Sequence, residues 1–523
     1  SDVYKRQGMM WQKLTRTSKK YDLQSEITSF VSIDGTTEIQ LIKITNLSEE
    51  EQEVTPIVAI PVYGRSADNI RDHRHVTSLL HRIDTKECGV EVTPVLSFDE
   101  RGHQKNDTTY FVYGFTAEGN APKEFYPTVE SFIGEGGSFL IPEAVRVEKT
   151  GCTAGCHLEG KEAVGAFRFE RRKLKANESI EYVVLAGATG EKASISKICT
   201  LFGTKEQAEN ELAKVKKYWT EKVNVEFETG DEATDNYLKW ICFQPILRRI
   251  YGCSFLPYHD YGKGGRGWRD LWQDCLALLI MNPSNVRQMI VDNYGGVRID
   301  GTNATIIGNK QGEFIADRNN ITRVWMDHAF WPFVTTRLYL DQTGDMEVLF
   351  EKVPYFKDLQ SMRGTAHDKF WNSEYGQKQK TERDHIYFGT VLEHILLQNL
   401  CAFYDVGEHN EMRLHGADWN DALDMAWEKG ESVAFTCAYA GNLRNIAKTL
   451  RQLEEISGSS KIEIAHEMED LLAGSVELYE DAARKQALLA GYAKKCEHNI
   501  SGDTIVVRLD QLAANLEGKA DWM

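Results

Sequence analysis

The sequence lacks the features of a membrane protein and of a nucleic-acid-binding protein. No apolar run approaches the roughly 20 residues that cross a bilayer, and the clearest candidate, 275–281, is much too short. Positive charge is in deficit, with 61 basic against 78 acidic side chains and a formal charge of −17. A surface that binds the phosphates of nucleic acid needs a basic stripe. We therefore expect no membrane and no nucleic acid among the partners.

Cysteine is too scarce for a disulfide-based fold, with 10 in 523 residues. Most stand among apolar neighbours, which is typical of small buried side chains. Cys152 and Cys156, followed by His157, would suit a metal site, but no second pair stands at a suitable spacing in the sequence, so we expect no metal. The first twelve residues include no apolar stretch of the length that a secretory signal needs. A reducing, cytoplasmic location fits best.

What is present is typical of an ordinary globular protein. Hydrophobic residues make up 42% and charged residues 27% of the chain. At roughly 150 residues per domain, the length predicts about three domains. The first residues lack an initiating Met and look unlike the start of a natural domain. We therefore expect the chain to be a fragment.

The composition changes near residue 190. Before it, short runs of β-branched and aromatic residues alternate with turn signals, and Asp34-Gly35 between two such runs predicts a hairpin. Many short strands with turns between them predict a β-sandwich over 1–190. The predicted strands include 30–33, 37–44, 53–62, 109–115, 166–171 and 180–186.

After residue 190 the apolar period becomes 3.6, which is typical of helices. A charged amphipathic helix at 204–222 indicates a helical linker over 191–230. The region 231–523 is a run of helices that suits a closed α/α barrel as well as a bundle, and the pattern does not choose between them. The protein is thus predicted to be an α+β multidomain protein. The predicted helices are 232–251, 268–281, 324–341, 385–404, 433–455 and 465–494, the last open to division into two.

The first dense cluster of functional side chains is GKGGRGWRDLWQD at 262–274. Its glycines allow an irregular loop that brings backbone close to a ligand, and the loop then enters a helix. Asp270 and Asp274 are four positions apart and share a face of that helix, as do Trp268 and Trp272. Arg, Asp and Trp together suit a carbohydrate site, through bidentate hydrogen bonds to hydroxyl pairs and packing against the sugar's C–H face.

That cluster has a plainer interpretation. The glycine spacing fits neither of the common nucleotide-binding loops. The two carboxylates repel each other weakly, and Arg266 and Arg269 can offset the repulsion. A helix entry with a surface ion-pair network would therefore carry the same residues.

The second cluster is HGADWNDALDMAW at 415–427. Asp418, Asp421 and Asp424 are spaced by three and share a face if a helix begins near Asp418. Asp418 would equally serve as an N-cap, with Asp421 as an acidic N3 residue. A general acid needs a raised pKa, whereas a helix N-terminus favours the carboxylate. Burial against Trp419, or repulsion from a bound anion or from Asp421, would raise the pKa.

A third cluster, WMDHAFW at 325–331, contains Asp327 and His328. These two side chains are candidates for the lining of a cleft. A buried histidine with satisfied hydrogen bonds is the more common case, and the aromatic residues of this segment more often belong to a core.

Taken together and in this order, four stretches resemble the inverting glycoside phosphorylases of glycoside hydrolase family 94. They are GWRDLWQD (267–274), TGDMEVLFEKVPYF (343–356), GADWNDALD (416–424) and GESVAF (430–435). The resemblance spans roughly residues 190–450, and the β-rich part before it fits the family's sandwich domain. Among members, segments 64–82 and 261–274 look most like 1,2-β-oligoglucan phosphorylases.

The resemblance implies a β-sandwich joined by a helical linker to an (α/α)6 barrel. It implies phosphorolysis of a β-glucosidic bond with inversion, in which inorganic phosphate is a co-substrate and no cofactor takes part. By the family's motifs, Asp418 is the general acid, Arg269 and Asp274 hold the glucosyl unit, and Trp419 lies beside the same ring. From the local chemistry we add Asp270 and Arg266 as substrate-binding candidates.

The chain also departs from the family's pattern. Ala422 stands where Gly is usual, and Gly416-Ala417 stands where two glycines are common, but neither change removes a catalytic group. In the family, a His and a loop with Thr and Gly from the later part of the barrel bind phosphate. Only about 90 residues follow GESV here, so we expect the barrel to lack its last helices.

Three functional hypotheses therefore stand. The first is a β-glucan phosphorylase acting on β-glucooligosaccharides, above all β-1,2-linked ones. The second is an inverting hydrolase on the same barrel, which would need another carboxylate across the cleft from Asp418. The third is a truncated chain that binds sugar without catalysis. The oligomeric state is left open, a homodimer included.

Overall fold

The computed structural model describes residues 2–523 except 34–36, 65–76, 100–101, 252–265, 305, 308–310, 316–323, 417–422 and 424. The described residues fall into two compact units, one up to Phe243 and the other from Gln244 to Met523. The first is rich in strands and the second in helices. A sandwich domain followed by a helical domain was the predicted order, and this is confirmed. The domain limits 1–190, 191–230 and 231–523 and the closure of a barrel stay predictions.

The first unit is built on an antiparallel sheet that has nine strands among the described residues, in the order β1-β2-β3-β4-β16-β11-β8-β7-β13. A smaller sheet has the order β12-β14-β6, and β5 pairs with β15 and β9 with β10. The strands are β1 (Asp2–Gly8), β2 (Trp11–Ser18), β3 (Leu23–Val31), β4 (Thr37–Asn46), β5 (Gln52–Val54), β6 (Ile57–Val62), β7 (His81–Lys86), β8 (Gly89–Pro94), β9 (Leu96–Asp99), β10 (Gly102–Lys105), β11 (Thr109–Thr116), β12 (Glu124–Thr128), β13 (His157–Glu159), β14 (Ala163–Arg168), β15 (Arg172–Leu174) and β16 (Ser179–Thr189).

The two sheets face each other across one apolar core, as the strand pattern predicted. At their contact, glycine in each sheet lies under a large side chain of the other. A Cβ on Gly165 of β14 would lie 2.3 Å from the Cβ of Val112 in β11, and a Cβ on Gly114 would lie 2.2 Å from the Phe167 ring. Interiors are packed as densely as organic crystals, so the close approach of these sheets requires glycine at both places.

The predicted strands of the first unit are found, with corrections at three of them. The strand predicted at 30–33 ends at Val31, and the one predicted at 166–171 ends at Arg168. β3 and β4 pair antiparallel on either side of Asp34-Gly35, and those two residues themselves lie outside the described part of the chain. The single strand predicted at 53–62 is two strands, β5 and β6, that belong to different sheets. Pro56 lies between them, and proline cannot donate a hydrogen bond to a ladder.

The first unit also contains helices, some between its strands and some after the last one. They are α1 (Val129–Ile133), α2 (Glu143–Arg146), α3 (Lys192–Phe202), α4 (Lys205–Lys222) and the first part of α5 (Glu232–Tyr251). The predicted helix at 204–222 is confirmed as α4. It begins with a capping box, in which Thr204 and Gln207 satisfy each other's backbone N–H groups.

The second unit has α-helices around an extensive apolar core. Its helices beyond α5 are α6 (Trp268–Met281), α7 (Val286–Tyr294), α8 (Phe330–Thr343), α9 (Val391–Tyr404), α10 (Val433–Ser457), α11 (Val476–Tyr479), α12 (Ala482–Lys495) and α13 (Leu509–Trp522). Short strands join the loops between these helices. One sheet has three strands, β17 (Arg266–Gly267), β18 (Ile306–Ile307) and β19 (Phe314–Ile315). The others are pairs: β20 (Lys352–Pro354) with β23 (Phe388–Thr390), β21 (Gln360–Ser361) with β22 (Ala366–His367), and β24 (Lys461–Ala465) with β25 (Thr504–Arg508). Every residue of α9 is buried, so this helix lies at the centre of the unit.

Two helices of this unit begin later than the sequence pattern predicted. The helix predicted at 324–341 begins at Phe330, because the backbone at Trp325 is extended and pairs with another segment. The helix predicted at 385–404 begins at Val391, after Thr390 caps it. Pairing with distant segments decides where these helices begin, and the apolar periodicity of the local sequence does not reveal that pairing. The region 465–494, for which division into two helices was left open, holds a 3-10 turn and two helices.

Among the described residues, no helix is both long enough and apolar enough to cross a bilayer.

The close approach of the two sheets leads to a stability prediction. Gly165→Ala should lower the free energy of unfolding by about 1–3 kcal/mol, because an added methyl group overpacks the core against Val112. Urea denaturation of the full chain, monitored by circular dichroism, measures this change. Gly190→Ala is the control, since nothing lies within 4 Å of a Cβ at that position. Equal stability of the two variants would contradict the proposed interlocking of the sheets.

Candidate active site

The helix that begins at Trp268 places the first predicted cluster. Gly267 precedes α6 in an extended conformation, and no side chain caps the helix start. Trp268 and Trp272 are fully buried in the core of the second unit, and the Trp268 indole N–H donates to the His328 carbonyl at 2.9 Å. The prediction that these two rings offer open faces to a sugar is therefore wrong. They fix the helix, because burial of large aromatic side chains dominates core packing.

The two carboxylates of this helix have different surroundings. Asp270 lies in the first turn and is half-buried, and its Oδ2 is so near Gly267 that a Cβ there would be 2.6 Å away. A carboxylate in that position is favoured by the helix dipole. Asp274, one turn later, is almost fully buried. Both carboxylates lie on the helix face that their i,i+4 spacing predicted, and they differ only in how deeply they are buried.

Arg269 makes a bidentate ion pair with Asp327. Its Nε donates to Asp327 Oδ2 and its Nη2 donates to Oδ1 at 3.0 Å. Oδ2 of Asp327 also accepts from the Trp331 indole at 3.1 Å. Burial would raise the pKa of the Asp327 carboxyl, but the hydrogen bond and charge of Arg269 outweigh it and hold the pKa below its usual value. The guanidinium is therefore fixed in one orientation by a charged partner.

Trp325 connects this pair to the second predicted cluster. The Arg269 guanidinium lies 5.6 Å from the centre of the Trp325 ring. The backbone of Trp325 forms bridges with His415 and with Gly416, and the Gly416 N–H donates to the Val324 carbonyl at 3.4 Å. The chain leading to Asp418 is thus held beside the arginine of the RDLWQD motif.

The fourth motif lies beside the same stretch. The Leu414 N–H donates to the Gly430 carbonyl at 2.8 Å, and the Ser432 N–H donates to the Met412 carbonyl at 2.9 Å. Ser432 then caps α10. Residues 412–416 therefore contact the fourth motif directly, and Trp325 links them to Arg269 of the first motif.

The remaining predicted site residues are those of the second cluster and Arg266. Asp418 and Trp419, with Asp421 and Asp424, lie outside the described residues, and so does the side chain of Arg266. Their roles stay predictions. Of the predicted substrate-binding residues, Arg269, Asp270 and Asp274 lie together on the first two turns of α6.

His328 is buried, as in the more common case, but its Nε2 has no hydrogen-bond partner among the described residues, so its hydrogen bonds are only partly satisfied. Its Nδ1 lies 3.2 Å from the Asn303 amide nitrogen, and its ring meets the Trp325 ring edge-on at 4.6 Å. Burial lowers its pKa to about 4, because desolvation disfavours the charged form. The imidazole is therefore neutral near pH 7 and accepts a hydrogen bond from Asn303 through Nδ1.

A second ion-pair chain next to Gly416 was missed by the sequence pattern. Asp405 accepts hydrogen bonds from Arg363 and from His415, each at 2.8 Å. The available signal was the position of Asp405, a carboxylate directly after a helix whose every residue is buried. A charge placed there must be paired, because an isolated buried charge is very costly.

The cysteine pair of the first unit has no metal-binding geometry among the described residues. His157 Nδ1 lies 2.8 Å from a carboxylate oxygen of Asp84, and its Nε2 lies 3.2 Å from a carboxylate oxygen of Glu159. Burial raises the pKa of the Cys152 thiol to about 11, so this thiol is protonated near neutral pH. No group of three His, Cys, Asp or Glu side chains in the described part of the chain could hold a metal ion.

Comparison with known proteins identifies the family. The profile of "Glycosyl hydrolase 94, supersandwich domain" matches residues 12–205. The profile of "Glycosyl hydrolase 94 superfamily, catalytic domain" matches residues 218–373. Two domains of one family thus match in order and together span more than half of the chain. The chain belongs to glycoside hydrolase family 94.

The chain is similar in sequence to two curated proteins and in structure to one solved protein. Solabiose phosphorylase from Paenibacillus borealis is 24% identical over 441 residues, which are 83% of this chain and 49% of that protein. Cyclic beta-(1,2)-glucan synthase NdvB from Rhizobium meliloti (strain 1021) is 26% identical over 241 residues, which are 45% of this chain and 8% of that protein. A bacterial glucoamylase complexed with acarbose has a TM-score of 0.45 at 11% identity, covering 94% of this chain and 58% of that one. The chain therefore spans half or less of the curated relatives.

The buried His328 leads to a prediction of pH dependence. Its pKa is about 4 in the native state against 6.5 for the exposed side chain. Between these values the unfolded state binds more protons, so the free energy of unfolding falls as the pH drops from 6.5 to 4. The loss from this residue is on the order of 3 kcal/mol.

His328→Asn keeps an acceptor for the Asn303 amide and does not titrate. Urea denaturation between pH 7 and 4.5 should therefore show a shallower loss of stability for this variant than for the wild type. His367→Asn is the control, because it makes the same substitution at an exposed side chain. If the free energy of unfolding of His328→Asn falls with pH as steeply as that of the wild type, His328 is not neutral in the native state.

Proposed function

We propose that the protein carries out inverting phosphorolysis of β-glucosidic bonds in β-glucooligosaccharides, above all β-1,2-linked ones, and releases α-glucose 1-phosphate. The observation that carries the proposal is the contact of Trp325 with both Arg269 and the segment before Asp418. This contact supports a shared site for the sugar-binding motif and the general-acid motif of the family. Family membership supports the same reaction class.

The names of the relatives support the substrate. One relative is a phosphorylase, and the other is named for a β-1,2-linked glucan. The segments 64–82 and 261–274 already favoured 1,2-β-oligoglucan phosphorylases among family members. A β-1,2-linked oligosaccharide is therefore the first substrate to test, with β-1,3 and β-1,4 chains as comparisons.

In the proposed mechanism Asp418 donates a proton to the glycosidic oxygen. A phosphate oxygen attacks the anomeric carbon from the opposite face, the bond to the departing sugar breaks, and the configuration inverts. Inverting hydrolysis needs a second carboxylate to activate water, whereas phosphate is already an anionic nucleophile. The negative charge of bound phosphate also raises the pKa of a nearby carboxyl and helps to keep Asp418 protonated.

The proposed substrate-binding residues are those that the family motif implies, together with two neighbours on the same helix start. Arg269, fixed by Asp327, and the buried Asp274 would hold the hydroxyl groups of the glucosyl unit, with Trp419 beside its ring. Asp270 and Arg266 would add contacts at the start of the same helix. The closed (α/α)6 barrel, the absence of a cofactor, the cytoplasmic location and a homodimer are further parts of this proposal.

The reaction is tested by incubating the chain with 1,2-β-glucooligosaccharides, with and without phosphate, and measuring α-glucose 1-phosphate. Product should depend on phosphate. Asp418→Asn should lower turnover by roughly 10²–10⁴-fold, the usual contribution of a general acid, while sugar binding survives. Asp341→Asn, a change of an exposed helix residue, is the matched control.

Other outcomes would point elsewhere. Glucose release without phosphate would favour the hydrolase, and no product from a folded chain that still binds sugar would favour the non-catalytic hypothesis. Retained turnover in Asp418→Asn would exclude Asp418 as the acid.

A further inference from the structure

A buried aspartate lies at the centre of an ion-pair chain that ends at His415, three residues before the proposed general acid in the sequence. Asp405 follows α9 and is buried, and its Oδ2 accepts from Arg363 Nη2 and from His415 Nε2, both at 2.8 Å. Burial would raise the pKa of Asp405, but the charges and hydrogen bonds of His415 and Arg363 outweigh it and lower the pKa well below its usual range. The carboxylate therefore stays ionised and keeps both donors.

Arg363 is itself held in place by a second aspartate. Its backbone N–H donates to Asp300 Oδ2 at 2.8 Å, and its Nη1 donates to the Asp300 carbonyl at 2.8 Å. Arg363 has a φ of 54°, a left-handed conformation that costs a non-glycine residue energy unless its surroundings enforce it. The arginine is thus fixed at both its backbone and its side chain, so Asp405 has a rigid partner on one side.

His415 is the partner on the other side, and its backbone is constrained too. Its φ is 51°, again left-handed. The bridge to Trp325 and the Gly416 hydrogen bond to Val324 hold the chain on either side of this turn. Without the bond to Asp405, the strained conformation of His415 would lose the side-chain contact that helps to enforce it.

We infer that Asp405, acting through His415, is a positioning residue for the general acid. Asp418 follows Gly416 by two residues, so the turn at His415 sets the direction in which the chain enters the Asp-Trp-Asn-Asp segment. Catalysis is sensitive to such placement, since a displacement of about 1 Å can cost 10²-fold in rate. This inference rests on the proposed function for its catalytic consequence, and on the described contacts for its structural one.

The kinetic test compares variants on both sides of the Asp405–His415 bond. Asp405→Asn and His415→Ala should each lower kcat at least tenfold, while KM for the oligosaccharide changes less than about threefold, because Arg269 and Asp274 are untouched. His415→Gln should recover most of the loss, since its side-chain amide can donate to Asp405 as Nε2 does. A split between kcat and KM, with rescue by Gln, is not expected of a merely structural residue.

The matched control is a second aspartate of the same kind in the same unit. Asp368 is buried and accepts from Lys357 at 2.7 Å and from His498 at 2.8 Å, without contact to residues 412–416. Asp368→Asn should lose comparable stability in urea but keep the wild-type kcat in the folded fraction. An equal fall of kcat in Asp368→Asn and Asp405→Asn would overturn the inference, as would wild-type kcat in a folded Asp405→Asn or His415→Ala.

A second measurement does not depend on turnover. Hydrogen exchange followed by mass spectrometry should show at least tenfold faster exchange in peptides covering 412–416 for Asp405→Asn and His415→Ala, but not for Asp368→Asn. If the wild type forms no product, the proposed function fails, and exchange alone decides whether Asp405 holds this segment. Unchanged exchange in both variants would overturn the inference.

Discussion

The ion pair between Arg269 and Asp327 is the interaction on which the arrangement of the second unit's motifs depends. It joins the first turn of α6 to the segment 325–331, and through Trp325 to residues 415 and 416. Removing one partner of a buried pair costs about 3–5 kcal/mol, because the remaining charge stays buried without compensation. The pair therefore holds segments together that the helices alone do not connect.

Further buried ion pairs connect the loops of the second unit. Arg298 with Asp358 and Lys357 with Asp368 are buried pairs at 2.6 and 2.7 Å, and Arg363 with Asp405 is a third at 2.8 Å. Long loops carry polar groups that need partners when they are buried. Paired charges satisfy that need and also fix which loop meets which. The first unit relies instead on apolar contact between two sheets, where glycines allow the close approach.

The sequence predicted the order of the domains, the principal strands and most helices, because these follow from local periodicity and turn residues. The helix at 268–281 was predicted with both its ends, since its apolar face repeats every three to four residues. The starts at Phe330 and Val391 were not predicted, because pairing with distant segments, and not propensity, decides them. The partition of 53–62 between two sheets was missed for the same reason.

For the candidate site, the amino-acid sequence by itself determined which residue types stand at which spacing, and hence the family and the candidate acid, arginine and aspartates. It could not determine their partners. That Arg269 is bound by Asp327, that Trp268 and Trp272 are buried in the core, and that Asp405 joins Arg363 to His415 were decided by the tertiary structure. The physical reason is that burial and charge pairing depend on residues far apart in the chain, which only folding brings within a few ångströms.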